Sequence, residues 1–344
     1  MFKHHQTFNK AKLRKSKGSK SMIILMATLF FTLIISSYHL VAFQSSKNTN
    51  TNPSIPPENI VNTNNFSISD TLSNGNSKSV KVILLAGQSN ASGASYVSYL
   101  SQKIDSNRYE TFNTGHPNIL INYFNENGFN SSNGFVQVRI DQGFMPGFFG
   151  PELGMAESFA LAYPDETIFI IKYAWGGSNL YNQWLSPSSN GNTGDLYTAF
   201  VNFVKTSMNY LISKNYDAKI VAMCWMQGES DSDDINCQTY GTHTANLVSD
   251  LRADFSSYIS SNGMLFIDAA ISDSIYWPNY PVINLAKSNY ASTSPLNVFI
   301  DTIATGLSIA SEPDNEPDFA HYDSLSELYL GNLFAEAIIS KLGG

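Results

Sequence analysis

The sequence predicts an α/β fold, a three-layer doubly wound parallel sheet with helices on both faces. Two observations predict it. Five apolar runs, at 81–86, 167–173, 219–225, 264–269 and 297–303, are nearly continuous rather than alternating. Strands buried on both faces read this way. Longer segments of helical periodicity lie between them, and strand–helix alternation is the pattern of a parallel sheet. From Val80 onward about 265 residues show no internal repeat, a length that one large α/β domain accommodates.

The elements are taken in chain order. The run "VILLAG", Val82 to Gly87, is the first strand and stops at Ala-Gly. Segments 119–124 and 135–140 are weaker strand candidates. The helix predicted over 151–163 starts with Pro151, whose fixed φ suits a first turn. Further helices are predicted at 194–214, 238–260 and 281–291. The last, 324–342, opens with Ser324-x-x-Glu327, a capping-box pattern, and spaces Leu325, Leu328, Leu333 and Ala337 for one buried face.

Ahead of this domain the composition changes twice. Residues 1–20 hold seven Lys/Arg and no Asp/Glu, which leaves 13 Lys/Arg against all 28 Asp/Glu in the remainder. A body that acidic repels phosphate backbones, so nucleic acid is excluded as a partner. The basic head is followed by the uncharged run "MIILMATLFFTLII" and weaker apolar sequence to Phe43. A basic flank before an apolar run reads as a signal peptide or an uncleaved signal anchor over 21–43. The expectation is a secreted domain or a single-pass anchored one, the membrane being a partner only if the segment stays uncleaved. Residues 44–79 are rich in Ser, Asn and Thr with few apolar residues, and are expected to be a disordered linker. Sequons stand at Asn65 and Asn130, and a third at Asn90 is read as accidental. Cys224 and Cys237 are either one disulfide or two buried thiols.

In doubly wound sheets, ligands bind beyond the carboxyl ends of the strands. Four such ends carry unusual polar sequence: Gly87-Gln88-Ser89-Asn90, "AWGGSNLYNQW" from Ala174, "CWMQGESD" from Cys224, and "DFAHYDS" from Asp318. Ser, Gly, Asn and Asp crowd ordinary turns, so each alone is weak. Together they hold what acyl transfer needs: a hydroxyl, an imidazole, a carboxylate to orient it, and donors for an oxyanion. Ser89 is the candidate nucleophile, His321 the base and Asp318 its orienting acid. His116 and His243 lack a comparable motif. Candidate oxyanion donors are the N–H groups of Ser89 and of Gly176 or Gly177, with the Gln227 carboxamide. Trp175 and Trp184 are candidate sugar-stacking residues. The chemistry needs no metal or cofactor. An α/β-hydrolase elbow, Gly-x-Ser-x-Gly, is disfavoured because Ala91 stands where its second glycine would.

"GQSNASG", "FGPELGMA", "AWGGSNLYNQW", "WMQGESD" and "DFAH", in this order, resemble the sialate O-acetylesterase and carbohydrate esterase family 6 group, which includes acetylxylan esterase-like members of the SGNH hydrolase superfamily. The resemblance implies a flavodoxin-like SGNH fold over roughly 80–344. It implies Ser89 as nucleophile, Gly177 or its neighbour Gly176 and Gln227 in the oxyanion hole, and Asp318 with His321 as the remaining pair. Glu229 falls on the family's Glu, and Asn90 belongs to the nucleophile turn as a supporting residue. Ala91 and Met226 depart from the Met and His common at those positions. The implied activity is removal of O-acetyl groups from a carbohydrate through an acetyl-serine. Two rival expectations are a carbohydrate-binding protein without turnover and an SGNH lipase or thioesterase.

Overall fold

The computed structural model describes residues 66–343. The basic head, the apolar segment 21–43, most of the linker and the sequon Asn65 lie outside the described residues. Among those described, no helix is long and apolar enough to cross a membrane. The linker was expected to run to Ser79, yet from Phe66 the chain packs on the domain. The Phe66 ring sits edge-on to Phe124 and Phe203, each at 5.0 Å, and Thr71 Oγ1 donates to Phe135 O.

Six parallel strands carry the sheet: β1 (Ser79–Gly87), β2 (Ile119–Asn125), β3 (Ile168–Ala174), β4 (Asp217–Met226), β5 (Leu265–Ala269) and β6 (Asn297–Ile300). Their order is β6-β5-β4-β1-β3-β2. Asn130–Ser131 and Val136–Gln137 add short antiparallel pairs on β2. The strand expected over 135–140 is therefore only two residues of ladder. Val138 and Ile140 are buried as its alternation suggested, but Ile140 N bonds to Phe112 O and not to a strand.

The helices are α1 (Ser89–Ser92), α2 (Val97–Lys103), α3 (Ser106–Thr114), α4 (Glu152–Ala162), α5 (Asp195–Ser213), α6 (Tyr240–Asp254), α7 (Tyr280–Ala291) and α8 (Ser324–Leu342). Adjacent residues of β3 point to opposite faces and show how the layers form. Lys172 reaches Glu152 of α4, while Tyr173 packs on Phe200 and Phe203 of α5. Lys205 of α5 in turn pairs with Asp254 of α6. Helix α6 ends six residues before the predicted 260 because Phe255 turns into the core and Ile259 bridges to Ile220.

Helix α8 corrects the sequence reading twice. No capping box forms: Glu312 accepts from Ser324 N and Oγ at 2.8 Å each, and Glu327 is buried with neither oxygen bonded among the described residues. Burial pushes the Glu327 carboxyl well above its usual range. The buried face is also rotated. Leu325 is 43% exposed, while Leu328, Leu330, Phe334, Ala335 and Ile338 form the contact. Rotation brings Gly331 against Gly154 of α4, so the two helices meet backbone to backbone. Cys224 and Cys237 are both buried free thiols.

A methyl group at Gly154 would lie 1.9 Å from Leu328 O and 2.8 Å from Asn332 N. Gly154→Ala must push α8 outward, and overpacking of this kind costs about 1–3 kcal/mol. The expected readout is a lower urea midpoint at unchanged slope. An unchanged midpoint would mean that the helices do not meet this closely.

Candidate active site

The chain runs outward from β1 to β2, returns through β3, then passes over β1 to β4. That reversal makes β1 the switch point of the sheet, where a crevice opens. Three strand ends are level there: Gly87 is paired with Ala174 on one side and Met226 on the other. Asn125 at the end of β2 is level with Ala174. The loops leaving these strands therefore meet at one place.

Beyond Gly87, Gln88 N donates to Met226 O at 2.9 Å, and the chain turns directly into α1. Ser89 opens this single turn and is half-buried, with its carbonyl accepting from Gly93 N. Its hydroxyl stands at the carboxyl edge of the central strand.

In the segment before α8, His321 Nδ1 lies 2.6 Å from Asp318 Oδ2. With the carboxylate ionised, Nδ1 carries the hydrogen and Nε2 is the basic nitrogen. Asp318 Oδ1 accepts from Ala320 N, closing a tight turn that explains how a spacing of three brings acid and imidazole together. Burial pushes the His321 pKa down. The charge of Asp318, the bond to it, and the charges of Glu229 and Glu126 outweigh burial, so His321 ends above its ordinary value. Burial raises Asp318, but the imidazole's charge and bond and the Ala320 N–H leave it below its ordinary value. The whole segment is closed at its base. Glu312 O accepts from Asp318 N, and Asp323 Oδ1 accepts from Ser311 N and Glu312 N.

Asn90 joins these pieces. It is 1% exposed, and its Nδ2 donates to Glu229 Oε1 at 2.9 Å and Ala320 O at 3.4 Å. Its Oδ1 accepts from Tyr322 N at 3.3 Å. One carboxamide thus holds both neighbours of His321 beside the turn that carries Ser89, and it leaves no room for a glycan. Asn130 is likewise engaged, donating to Asp141 O and Gly143 O. Burial raises the Glu229 carboxyl against its bond from Asn90, and its Oε2 has no partner among the described residues.

The oxyanion candidates separate. Gly177 is exposed at φ +66°, and its N–H has no acceptor among the described residues. Only a residue tolerant of that φ suits this turn. Gly176 does not serve, because its N–H donates to Glu126 Oε1 at 2.7 Å. Gln227 is a correction as well. It is wholly buried, and its Nε2 faces three protein acceptors: Asp231 Oδ2 at 2.6 Å, Ser178 O at 3.1 Å and Gln88 Oε1 at 3.2 Å. Two hydrogens shared among three acceptors leave none for substrate, so this side chain braces the second loop against the third. Trp184 is also buried, donating Nε1 to Ser178 Oγ and standing edge-on to Trp225 at 5.1 Å, so it offers no face to a sugar. Trp175 remains half-buried.

Two residues of the site escaped sequence reading. Asp231 accepts from Leu180 N and Tyr181 N, which pins the loop after Gly177, and burial pushes it up to about 6 despite these bonds. It ends the quoted "QGESD" and was available as a signal. Glu126, after a strand of weak pattern, accepts from Ser92 Oγ and Gly176 N at 2.7 Å each. Nothing in its neighbours announced it. Among the described residues, no group of His, Cys, Asp and Glu suits a metal ion.

Comparison with known proteins gives the family and the fold. The family described as carbohydrate esterase, sialic acid-specific acetylesterase matches residues 79–340. No curated protein matches the chain. Among solved structures, the chain is similar to a protein from Arabidopsis thaliana, at 21% identity over 76% of this chain and 98% of that one, with a TM-score of 0.54. It is similar to NanS at 18% identity, over 77% and 98% of the two chains, with a TM-score of 0.58. It is also similar to XAC1771, a carbohydrate acetylesterase from Xanthomonas citri, at 14% identity over 76% and 56%, with a TM-score of 0.51. At these identities the structures speak for the fold, and the family rests on the match over 79–340. The chain belongs to the carbohydrate esterase, sialic acid-specific acetylesterase family.

Proposed function

We propose that this carbohydrate O-acetylesterase works through Ser89, His321 and Asp318. The observation that carries the reading is the Asp318–His321 pair at 2.6 Å, tied by the Asn90 carboxamide to the turn bearing Ser89. His321 Nε2 takes the proton of Ser89 as its oxygen attacks the acetyl carbonyl. The oxyanion that forms is met by the N–H groups of Ser89 and Gly177. His321 then protonates the departing sugar oxygen, and a water activated by the same nitrogen hydrolyses the acetyl-serine. Asp318 holds the tautomer and offsets the imidazolium charge. Ser89→Ala is expected to reduce acetate release from acetylated saccharides by about a thousandfold or more with an unchanged circular dichroism spectrum. Near-wild-type turnover would end this mechanism.

The pH profile follows from the same pair. The base must be neutral, so kcat/KM rises with pH through the pKa of His321. That pKa is raised, so the acidic limb is expected above about 6.5, the ordinary histidine value. In Asp318→Asn the largest raising influence is gone while burial remains. The limb should move to lower pH, and the maximal rate should fall by about a thousandfold or more. A limb that stays in place would remove Asp318 from the role of His321's partner.

We also propose that the head of the chain directs the domain out of the cytosol. The seven basic residues before the apolar run support this, as does the Ser/Asn/Thr-rich stretch after it. Expressed in a secreting host, the full chain should fractionate with membranes if 21–43 is retained, or appear in the medium if it is cleaved. Recovery in the cytosol would refute the proposal.

A further inference from the structure

We propose that Glu126 selects the sugar. Its unbonded oxygen accepts a hydroxyl of a neutral acetylated saccharide, and its charge turns away sugars that carry a carboxylate. This rests on the esterase reading above and names the substrate class of that same site.

The placement is specific. Glu126 follows Asn125, whose strand end is level with Ala174. Its Oε1 accepts from Ser92 Oγ, one turn beyond Ser89, and from Gly176 N, next to the candidate oxyanion donor Gly177. A side chain at Gly176 would press on this carboxylate, because a Cβ there would lie 3.2 Å from Oε1. The carboxylate therefore stands between the nucleophile's turn and the oxyanion loop, with one oxygen fixed. The other, Oε2, has no partner among the described residues and is not sealed from solvent. An anchored carboxylate with one free oxygen is a strong acceptor for a hydroxyl, since charge-assisted bonds are about twice as strong as neutral ones.

Three carboxylates raise the affinity of His321 for its proton: Asp318, Glu229 and Glu126. Among the described residues, the cations that these three feel, apart from His321, are Lys172 and Lys287. Both are fully buried, and each is already held, Lys172 by Glu152 and Lys287 by Asp268. An incoming carboxylate meets no available ammonium or guanidinium from this set. The family's description names sialic acid, a sugar acid whose carboxylate the charge of Glu126 would oppose.

The test measures kcat/KM of the full chain for four esters: para-nitrophenyl acetate, an acetylated methyl xyloside, O-acetylated N-acetylneuraminic acid, and the methyl ester of that acid. The methyl ester removes the charge and keeps the sugar. The xyloside and the methyl ester are expected to exceed the free acid by about tenfold or more, as a like charge at close range demands. The gap should shrink in about 1 M salt, where the Debye length is about 3 Å. Glu126→Gln keeps an acceptor for Ser92 and Gly176 and removes the charge. It should raise the ratio of free acid to xyloside by about tenfold, whereas a merely structural role would scale both substrates together. A free acid hydrolysed as well as its methyl ester would overturn the proposal, and so would an unchanged ratio in the variant. Should the variant fail to fold, the wild-type methyl-ester comparison decides alone. Absence of hydrolysis of all four, para-nitrophenyl acetate included, would instead defeat the esterase reading and this proposal with it.

Discussion

The site depends on one buried carboxamide. Asn90 joins three parts of the chain that are far apart in sequence: the turn after β1, the loop after β4 and the segment before α8. A buried amide is costly unless its hydrogens and its oxygen find partners, so it favours the one arrangement that satisfies them. Here the partners are Glu229, Ala320 O and Tyr322 N. The imidazole between those last two residues is thereby located by backbone bonds on both sides. His321 needs no rigid element of its own because the fixed neighbours serve as one.

The sheet supplies the other constraint. Gly87, Ala174 and Met226 are neighbours in register, so a serine, a glycine turn and a brace emerge side by side. Around them the protein gathers carboxylates that are wholly or partly buried. Glu229, Asp231 and Glu126 are all raised by burial, and Asp318 stays low through its pairing with the imidazole. The chemical consequence falls on His321, whose basicity the surrounding negative charge increases. In the proposed mechanism, a stronger base takes the serine proton more readily, and the same charge steadies the imidazolium until the leaving oxygen is protonated.

How much of this was legible depends on what each residue needs locally. The central strands were readable because burial on both faces forces continuous apolar sequence. The placement of Ser89 and Gly177 after neighbouring strands and the contact of Asp318 with His321 were readable because strand ends, and a spacing a turn can close, are local features of the sequence. Failures arose where the deciding neighbour is distant. Ser324 and Glu327 have the letters of a capping box, but Glu312 takes the cap and leaves Glu327 sealed in the core. Trp184 sits in a motif of the site, yet its indole is claimed by Trp225 and Ser178. Gln227 matches a donor position, and only three-dimensional contacts reveal that Asp231, Ser178 and Gln88 already face its hydrogens.

Glu126 carries this lesson furthest. The parts assigned to bond breaking come from β1, β3 and the segment before α8, and their sequence is constrained by what ester hydrolysis requires. Glu126 follows β2, at the opposite side of β3 from β1, and it takes no bond-breaking role in the proposed hydrolysis. Its pattern is weak, and its backbone has φ +47°, a conformation that must be held by neighbours. Ser92 and Gly176 hold it. A residue bound to the nucleophile's turn on one side and the oxyanion loop on the other is placed to bias which sugar is accepted while the bond-breaking groups stay the same, because function resides in such sites rather than in the fold that carries them.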